Sequence, residues 1–479
     1  MAQAAKFALN LASAVVLARL LLPADFGLVA MVTTITGFLR IFKDAGLSTA
    51  TVQKEQVTHA QVSNLFWLNI FLSASIGVLV AGLAPAVAWF YHEPRLVAVT
   101  FALSCTFAIG GSVVQHQALL NRQMRYKAIA VIDIGSAVLG LVVGIAMAIM
   151  ERGYWSLVGM QLATSVAELG LTLGISRWRP QRFMRRSGTR SLLHFGASLT
   201  VANILRRVAG GSDILLLGRF FGAEQVGLYS RGGALLMRPI EQVITPFETL
   251  FTPVLSRLQD DPERYRRTFL KAYNTVALFT FMFSGLFLAL SKPLVLLLLG
   301  RRWESVVPIF AWMAVSALYL PLYYASMTLL NTQGRGREIM ATGVNFAATT
   351  LFAAAVGVGF GPAGLALAIS IIGLFIRLPI QFAIAGRQGP VSTSDLWVVL
   401  LRYLPLWSVV LATGFALDRL LSKLPPAVEI LTSAPLALLA GTAIVFVIPT
   451  QRRTAAEFLT SLKRFFESVT RPANECRSN

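Results

Sequence analysis

The sequence predicts an all-α, polytopic membrane protein. Of its 479 residues, 56% are hydrophobic and only 13% are charged, which is about half the usual charged share of a soluble protein. A single soluble core stops growing at about 250–300 residues, so a soluble fold would not bury this much apolar surface. The apolar residues also fall into runs long enough to cross a bilayer, which takes about 20 residues for a helix.

Fourteen apolar segments follow one another along the chain, and each is predicted to form a transmembrane helix. They divide the chain into an N-terminal six-helix lobe (1–187), a second six-helix lobe (188–388), two additional helices (389–449) and a cytoplasmic amphipathic tail (450–479). The predicted spans are 4–22, 26–42, 65–90, 96–118, 129–150, 154–176, 192–217, 224–256, 268–298, 305–330, 338–359, 362–386, 397–418 and 427–448.

The net charge of +20 is explained first by topology. The basic residues are concentrated in alternate loops, with the largest group between 177 and 190. Under the positive-inside rule these loops are cytoplasmic, and both termini are then cytoplasmic as well. A nucleic-acid partner is not expected, because no soluble segment of the chain is densely basic. The tail is expected to lie on anionic membrane lipids.

A short motif occurs twice at an offset of 200 residues. Leu17-Ala-Arg19-Leu-Leu-Leu-Pro-Ala-Asp-Phe-Gly27-Leu28 ends the first predicted span, and Leu217-Gly-Arg219-Phe-Phe-Gly-Ala-Glu-Gln-Val-Gly227-Leu228 ends the seventh. Chance similarity between two apolar helix ends is the alternative explanation. The motif favours two six-helix halves of the same orientation, related by a pseudo-twofold axis along the membrane normal.

Arginines inside the predicted spans point to an anionic ligand. Arg206 and Arg207 lie in the seventh span, and Arg231 and Arg238 lie in the eighth. Charge within a membrane needs a partner, a cavity or a ligand, and arginine forks suit phosphate. Pairing of Arg238 with Glu241 along the helix is the structural alternative.

Other polar residues within the spans are candidates for ion coupling or sugar contacts. Asp133, Glu168 and Asp213 are the acids that could couple transport to an ion gradient. They could equally pair with arginines or backbone across the bundle. Candidate sugar contacts, which could also be ordinary interface residues, are Tyr319, Tyr323 and Asn345.

Signatures of an enzyme are missing from the sequence. There is no paired-carboxylate loop, no glycine-rich phosphate loop with a lysine and no Ser/His/Asp grouping. The two cysteines, Cys105 and Cys476, lie far apart, and the four histidines have no ligand spacing. The sequence therefore predicts neither catalysis nor a metal or other cofactor.

The repeated motif, with Phe42-Lys-Asp-Ala-Gly-Leu-Ser48 in the first half and Phe251-Thr-Pro-Val-Leu-Ser-Arg-Leu-Gln-Asp260 in the second, resembles the polysaccharide-export branch of the multidrug/oligosaccharidyl-lipid/polysaccharide flippase superfamily. These are Wzx-type translocases of colanic-acid, succinoglycan or lipopolysaccharide-like repeat units. The resemblance implies a MATE/MurJ-like bundle that alternates between inward-open and outward-open states in the bacterial inner membrane.

The cargo implied by this resemblance is an undecaprenyl-diphosphate-linked oligosaccharide used for exopolysaccharide or lipopolysaccharide biosynthesis. A basic central cavity would hold the diphosphate, with Arg40 added to the four arginines of the seventh and eighth spans. A polysaccharide polymerase and export machinery are the implied protein partners. The alternative is a MATE-like drug/cation antiporter, whose site should be net acidic rather than net basic.

Overall fold

The computed structural model describes residues 2–44, 48, 51–52, 57–182, 210–457 and 460. The described residues before 183 include six helices with assigned bounds: α1 (Ala2–Leu20), α2 (Pro23–Asp44), α3 (His59–Tyr91), α4 (Arg95–Arg122), α5 (Tyr126–Ile149) and α6 (Trp155–Ser176).

Ten further α-helices follow residue 209. They are α7 (Ser212–Ser256), α8 (Pro262–Ala289), α9 (Ser291–Leu298), α10 (Val306–Ser316), α11 (Leu320–Thr332), α12 (Gly336–Gly357), α13 (Gly361–Ile372), α14 (Leu378–Ala385), α15 (Thr393–Leu421) and α16 (Pro426–Val447). A five-residue π-helix, Gly373–Arg377, joins α13 to α14.

The predicted all-α membrane class is confirmed. Within the described ranges, nine helical stretches are long and apolar enough to cross a membrane. One of them, Gly336–Ala385, is 50 residues long and is interrupted by a 3₁₀ turn at Val358–Phe360, so it contains more than one predicted span. The count of fourteen spans and the twofold repeat stay predictions.

Helix α7 contains a sharp break at Gly222, whose φ is 79° and ψ is −176°. Residues with a Cβ rarely adopt this backbone conformation, so glycine is the residue that permits the break. The break falls in the gap between the seventh and eighth predicted spans. The seventh and eighth predicted spans therefore meet at Gly222, where the helix is kinked.

Several helices begin with side chains that bond the free backbone N–H groups of the first turn. Thr58 and Gln61 form a capping box at the start of α3, and Ser392 and Asp395 form another at the start of α15. Such pairs satisfy two of the donors that a helix leaves open at its N-terminus. They fix where these two spans begin.

The chain divides into two compact units. The first comprises residues 1–234, 298–309 and 346–369, and the second comprises 235–297, 310–345 and 370–479. In the first unit, α3 packs on α4, α5 on α6, and α2 on both α3 and α4. In the second unit, α8 packs on α15, which packs on α16; the core there includes Tyr273, Phe281 and Tyr403, each fully buried.

Candidate functional site

Arg231 lies in the first unit, where its guanidinium contacts the aromatic ring of Phe26. Its guanidinium carbon is 4.4 Å from the centroid of the Phe26 ring. Phe26 in turn meets Trp303 edge-on, with ring centroids 5.4 Å apart. The indole N–H of Trp303 donates to the carbonyl of Ala18, 2.8 Å away. Arg231, which the sequence predicts to bind phosphate, therefore contacts a ring that is itself packed against Trp303.

The other predicted arginines are distributed more widely. Arg238 is exposed on the part of α7 that belongs to the second unit. Arg40 lies near the end of α2. Arg206 and Arg207 lie outside the described residues.

Two of the predicted coupling acids, Asp133 and Glu168, contact side chains of other helices within the first unit. Lys6 Nζ of α1 lies 2.9 Å from Asp133 Oδ2 of α5. Gln117 Nε2 of α4 donates to Glu168 Oε1 of α6 at 2.8 Å. Asp133 is therefore neutralised by a cation. Glu168 receives a hydrogen bond from a neutral amide, which leaves its charge uncompensated by that contact.

Asp213 occupies the first turn of α7. Its Oδ1 accepts a hydrogen bond from the backbone N–H of Ile214 at 2.8 Å. A carboxylate at this position is favoured by the positive end of the helix dipole. The backbone contact therefore gives Asp213 a structural role in addition to the predicted coupling role.

The three candidate sugar contacts are buried in the second unit. Tyr319, Tyr323 and Asn345 are 0%, 3% and 8% exposed. Asn345 Nδ2 donates to the carbonyl of Arg377 at 3.0 Å, and the Tyr319 hydroxyl fills the space that a Cβ on Gly373 would take. In this conformation these side chains pack the interior of the unit and present little surface to a sugar.

Sequence reasoning missed Arg377, which is only 2% exposed. It ends the π-helix Gly373–Arg377, and such short π-helices are frequent at functional sites. The available signal was an arginine within the apolar run 362–386. Trp303 was also missed, because nothing near it in the sequence indicates a partner 285 residues away.

The described cavities within each unit are small and apolar. One of about 210 Å³ in the first unit is lined by α2, α3 and α4 residues such as Val32, Leu39 and Val80. One of about 270 Å³ in the second is lined by residues such as Pro239, Phe283 and Phe287. No charged side chain lines either cavity, so neither is a phosphate site.

The loop after α3 contacts α7 through Arg219, a residue of the second copy of the repeated motif. Arg219 hydrogen-bonds the ring of His92, and its guanidinium carbon lies 5.9 Å from the Phe90 ring centroid. Next to it, Arg95 Nε is 2.8 Å from Glu93 Oε1. The hydrogen bond from Arg95 holds the pKa of Glu93 below its usual value. The Glu93 carboxylate therefore stays charged to a lower pH than an unpaired glutamate would.

The Lys6–Asp133 pair permits a double-mutant test. Because Lys6 is half exposed, we expect the pair to contribute no more than about 1 kcal/mol to stability. Lys6→Ala and Asp133→Asn should each destabilise the protein, and the double variant should lose less than their sum. Thermal unfolding in detergent measures this coupling. Lys127 of α5 is exposed, so Lys127→Ala is the control variant. If the double variant lost the full sum of the two single losses in stability, the contact between Lys6 and Asp133 would not be stabilising.

Comparison with known protein families identifies the family of this chain. Residues 16–308 match a family model described as polysaccharide biosynthesis protein. The chain belongs to this family. The match covers more than half of the sequence and includes both copies of the repeated motif.

Curated relatives agree with this family. The chain is 25% identical over 425 residues to the lipopolysaccharide biosynthesis protein WzxC of Escherichia coli, covering 85% of each chain. It is 26% identical to the succinoglycan biosynthesis transport protein ExoT of Rhizobium meliloti, covering 73% of this chain and 71% of ExoT. It is also 26% identical to the teichuronic acid biosynthesis protein TuaB of Bacillus subtilis, covering 63% of this chain and 62% of TuaB.

Solved structures share the fold at low sequence identity. The lipid II flippase MurJ in an inward closed conformation aligns with a TM-score of 0.71 and 13% identity, covering 93% of this chain and 98% of MurJ. An inward-facing multidrug transporter of the MATE family aligns with a TM-score of 0.63 and 16% identity, covering 82% and 96%. The predicted MATE/MurJ-like fold is confirmed.

Proposed function

We propose that this protein translocates undecaprenyl-diphosphate-linked oligosaccharide repeat units across the bacterial inner membrane by alternating access. It makes or breaks no covalent bond in the process. The observation that carries the proposal is the match to polysaccharide biosynthesis proteins over residues 16–308. The names of its relatives support it, since ExoT is named a transport protein for succinoglycan biosynthesis.

The orientation follows from the distribution of basic residues. Both termini and the basic loop from 177 to 190 lie on the cytoplasmic side. The end of the bundle that holds the Leu20–Pro23 turn and Gly222 then lies on the outer side. Cargo enters from the inner leaflet, where its sugars are assembled, and a polymerase with export machinery receives it on the other side.

The diphosphate is held by arginines of the second and seventh to eighth spans. These are Arg40, Arg206, Arg207, Arg231 and Arg238. Guanidinium groups bind phosphate through two parallel N–H donors and keep their charge inside a membrane. Asp133, Glu168 and Asp213 remain candidates for ion coupling, and Tyr319, Tyr323 and Asn345 reach sugars only if the second unit rearranges.

A drug/cation antiporter is the second candidate, favoured by the MATE transporter fold. The two functions make opposite demands on charge. An organic cation needs a net acidic site, whereas the seventh predicted span carries two arginines, Arg206 and Arg207, against one acid, Asp213. The excess of cation in this span favours the diphosphate cargo.

Deletion of the gene tests the proposal. We expect undecaprenyl-diphosphate repeat units to accumulate on the inner leaflet and surface polysaccharide to be lost. Complementation with the wild-type gene is the control. Unchanged polysaccharide together with new sensitivity to cationic dyes would refute the flippase and favour the antiporter.

The arginine pair of the seventh span tests the cargo site. The double variant Arg206→Ala/Arg207→Ala should lose export at normal expression, because the diphosphate loses two guanidinium partners. Arg152→Ala, which changes an exposed arginine in the loop between α5 and α6, should export normally. Wild-type export by the double variant would rule out a phosphate-binding role for the pair.

A further inference from the structure

The two copies of the repeated motif contact each other reciprocally. A Cβ built on Gly27 would lie 1.6 Å from the carbonyl oxygen of Ala223, and one built on Gly227 would lie 1.8 Å from the carbonyl oxygen of Pro23. Pro23 and Ala223 are separated by 200 positions, as are Gly27 and Gly227. Each copy therefore places its glycine against the backbone of the other copy, at equivalent positions, as expected where two equivalent helices cross on a twofold axis.

Both copies have the spacing that lets membrane helices approach closely. Within each copy the two contact residues are four positions apart, Pro23 and Gly27 in one and Ala223 and Gly227 in the other, so they lie on one face of the helix. Ala223 and Gly227 form the small-x-x-x-small pattern that brings helix backbones together in membranes, and Gly27 is the small residue of the facing helix. The obstructing atoms are backbone atoms, so no rotamer change would make room for a methyl group. We call this contact between residues 23–27 and 223–227 the crossing.

Phe26 links the crossing to Arg231. It precedes Gly27, is buried, and lies between the Arg231 guanidinium and Trp303. Arg231 lies about 13 Å along the helix from Gly222, at 1.5 Å per residue. The five N–H donors of a guanidinium lie in its plane, so a ring stacked on its face orients those donors.

We propose that the crossing closes the outer side of the translocation pathway, and that Phe26 orients Arg231 for the diphosphate only while the crossing is closed. This inference rests on the proposed function and orientation. With the outer side closed, Phe26 holds the Arg231 fork for cargo from the inner leaflet. When the crossing separates, Phe26 moves with α2 and Arg231 loses its contact with the Phe26 ring. The affinity for the diphosphate then falls as the cargo reaches the outer leaflet.

The first experiment measures closure without cargo. Leu20 and Phe220 are exposed and equivalent in the repeat, so spin labels at Leu20→Cys and Phe220→Cys report the separation of the two copies. The background carries Cys105→Ser and Cys476→Ser. Wild type in cargo-free liposomes should give one short distance. Gly27→Ala and Gly227→Ala should each add a longer distance, because a methyl group cannot fit in the crossing.

Gly37→Ala is the matched control, since Gly37 lies on the same helix as Gly27 and a Cβ there meets no atom within 4 Å. It should give the wild-type distance. If Gly27→Ala folds and also gives only the wild-type distance, the crossing is not the closure. Should the glycine variants fail to fold, Phe26→Leu replaces them, because it adds no backbone clash. It removes the contact between Phe26 of α2 and Arg231 of α7, which helps to hold the two helices together while the crossing is closed. It should therefore also populate the longer distance, and an unchanged distance would overturn the proposal.

The second experiment measures affinity, with undecaprenyl diphosphate in liposomes as the probe. Phe26→Leu should weaken binding by about tenfold, because the Arg231 side chain must then lose its rotamer freedom when the ligand binds. Phe26→Tyr keeps the ring and should restore affinity. Equal binding by wild type and Phe26→Leu would overturn the role of Phe26. The distance measurement uses no cargo, so it tests the crossing independently of the proposed function. If the distances show a closed crossing but the deletion strain makes normal polysaccharide, the proposed translocation is rejected and the role of the crossing in closing the outer side is kept.

Discussion

Arg335→Ala is expected to lower the free energy of unfolding by about 3 kcal/mol, the order of a buried, charge-assisted hydrogen-bond network. The side chain is only 10% exposed. Its Nη1 donates to the carbonyls of Ala385 and Gln388 at 2.9 and 2.8 Å, and its Nη2 donates to Ile384 at 3.1 Å. These carbonyls lie at or just beyond the end of α14, where a helix has no internal donors left.

The geometry also predicts the ranking of substitutions at Arg335. Lysine keeps the charge, but its single ammonium cannot reach all three carbonyls as a planar fork does, so Arg335→Lys should lose an intermediate amount. Arg337→Ala is the matched control, because Arg337 is exposed two residues away; it should change stability by less than about 0.5 kcal/mol. Denaturant titration in mixed micelles measures all three. Equal stability of Arg335→Ala and Arg337→Ala would show that the hydrogen bonds of Arg335 to the three carbonyls contribute nothing to stability.

The sequence predicts the helices well because one physical requirement defines them. A backbone in lipid must satisfy its own hydrogen bonds, so apolar runs of the right length become helices. The predicted span 65–90 lies within α3, and 154–176 coincides almost entirely with α6. The gap between the predicted spans 192–217 and 224–256 contains the break at Gly222.

The sequence cannot tell which face of each helix is internal. Lipid tails are as apolar as a protein core, so hydropathy does not separate the two. Tyr319 and Tyr323 read as available polar surface, yet both are buried in the second unit. Phe26 and Trp303 look like ordinary apolar residues in the sequence, yet Phe26 contacts Arg231 and Trp303 packs against Phe26. These assignments depend on contacts between distant parts of the chain, which no local pattern encodes.

The repeated motif lies between these cases. Its offset of 200 residues is visible in the sequence, and it predicts that Gly27 and Gly227 occupy equivalent places. The reciprocal contact with Ala223 and Pro23 depends on three-dimensional packing. A repeat in the sequence thus indicates which residues to compare, and the structure supplies the reason that both are glycine.

Trp303→Ala is expected to destabilise the protein by about 3 kcal/mol, the lower end of the range for removing a large aromatic side chain from a core. Trp303 is fully buried and connects Phe26 of α2 to the backbone of Ala18 in α1. The lower end applies because helix association in lipid depends on packing contacts rather than on transfer from water. The loss should appear as a lower unfolding midpoint in detergent.

Two further substitutions divide this effect into its parts. Trp303→Phe keeps a ring against Phe26 but removes the indole N–H, so it should lose about 1 kcal/mol, the usual net value of one hydrogen bond. Trp89→Ala removes the same side chain from a position that is 77% exposed in the same unit, and it should be nearly neutral. If Trp303→Ala were as stable as Trp89→Ala, the contact between α1, α2 and Trp303 would not hold this end of the first unit together.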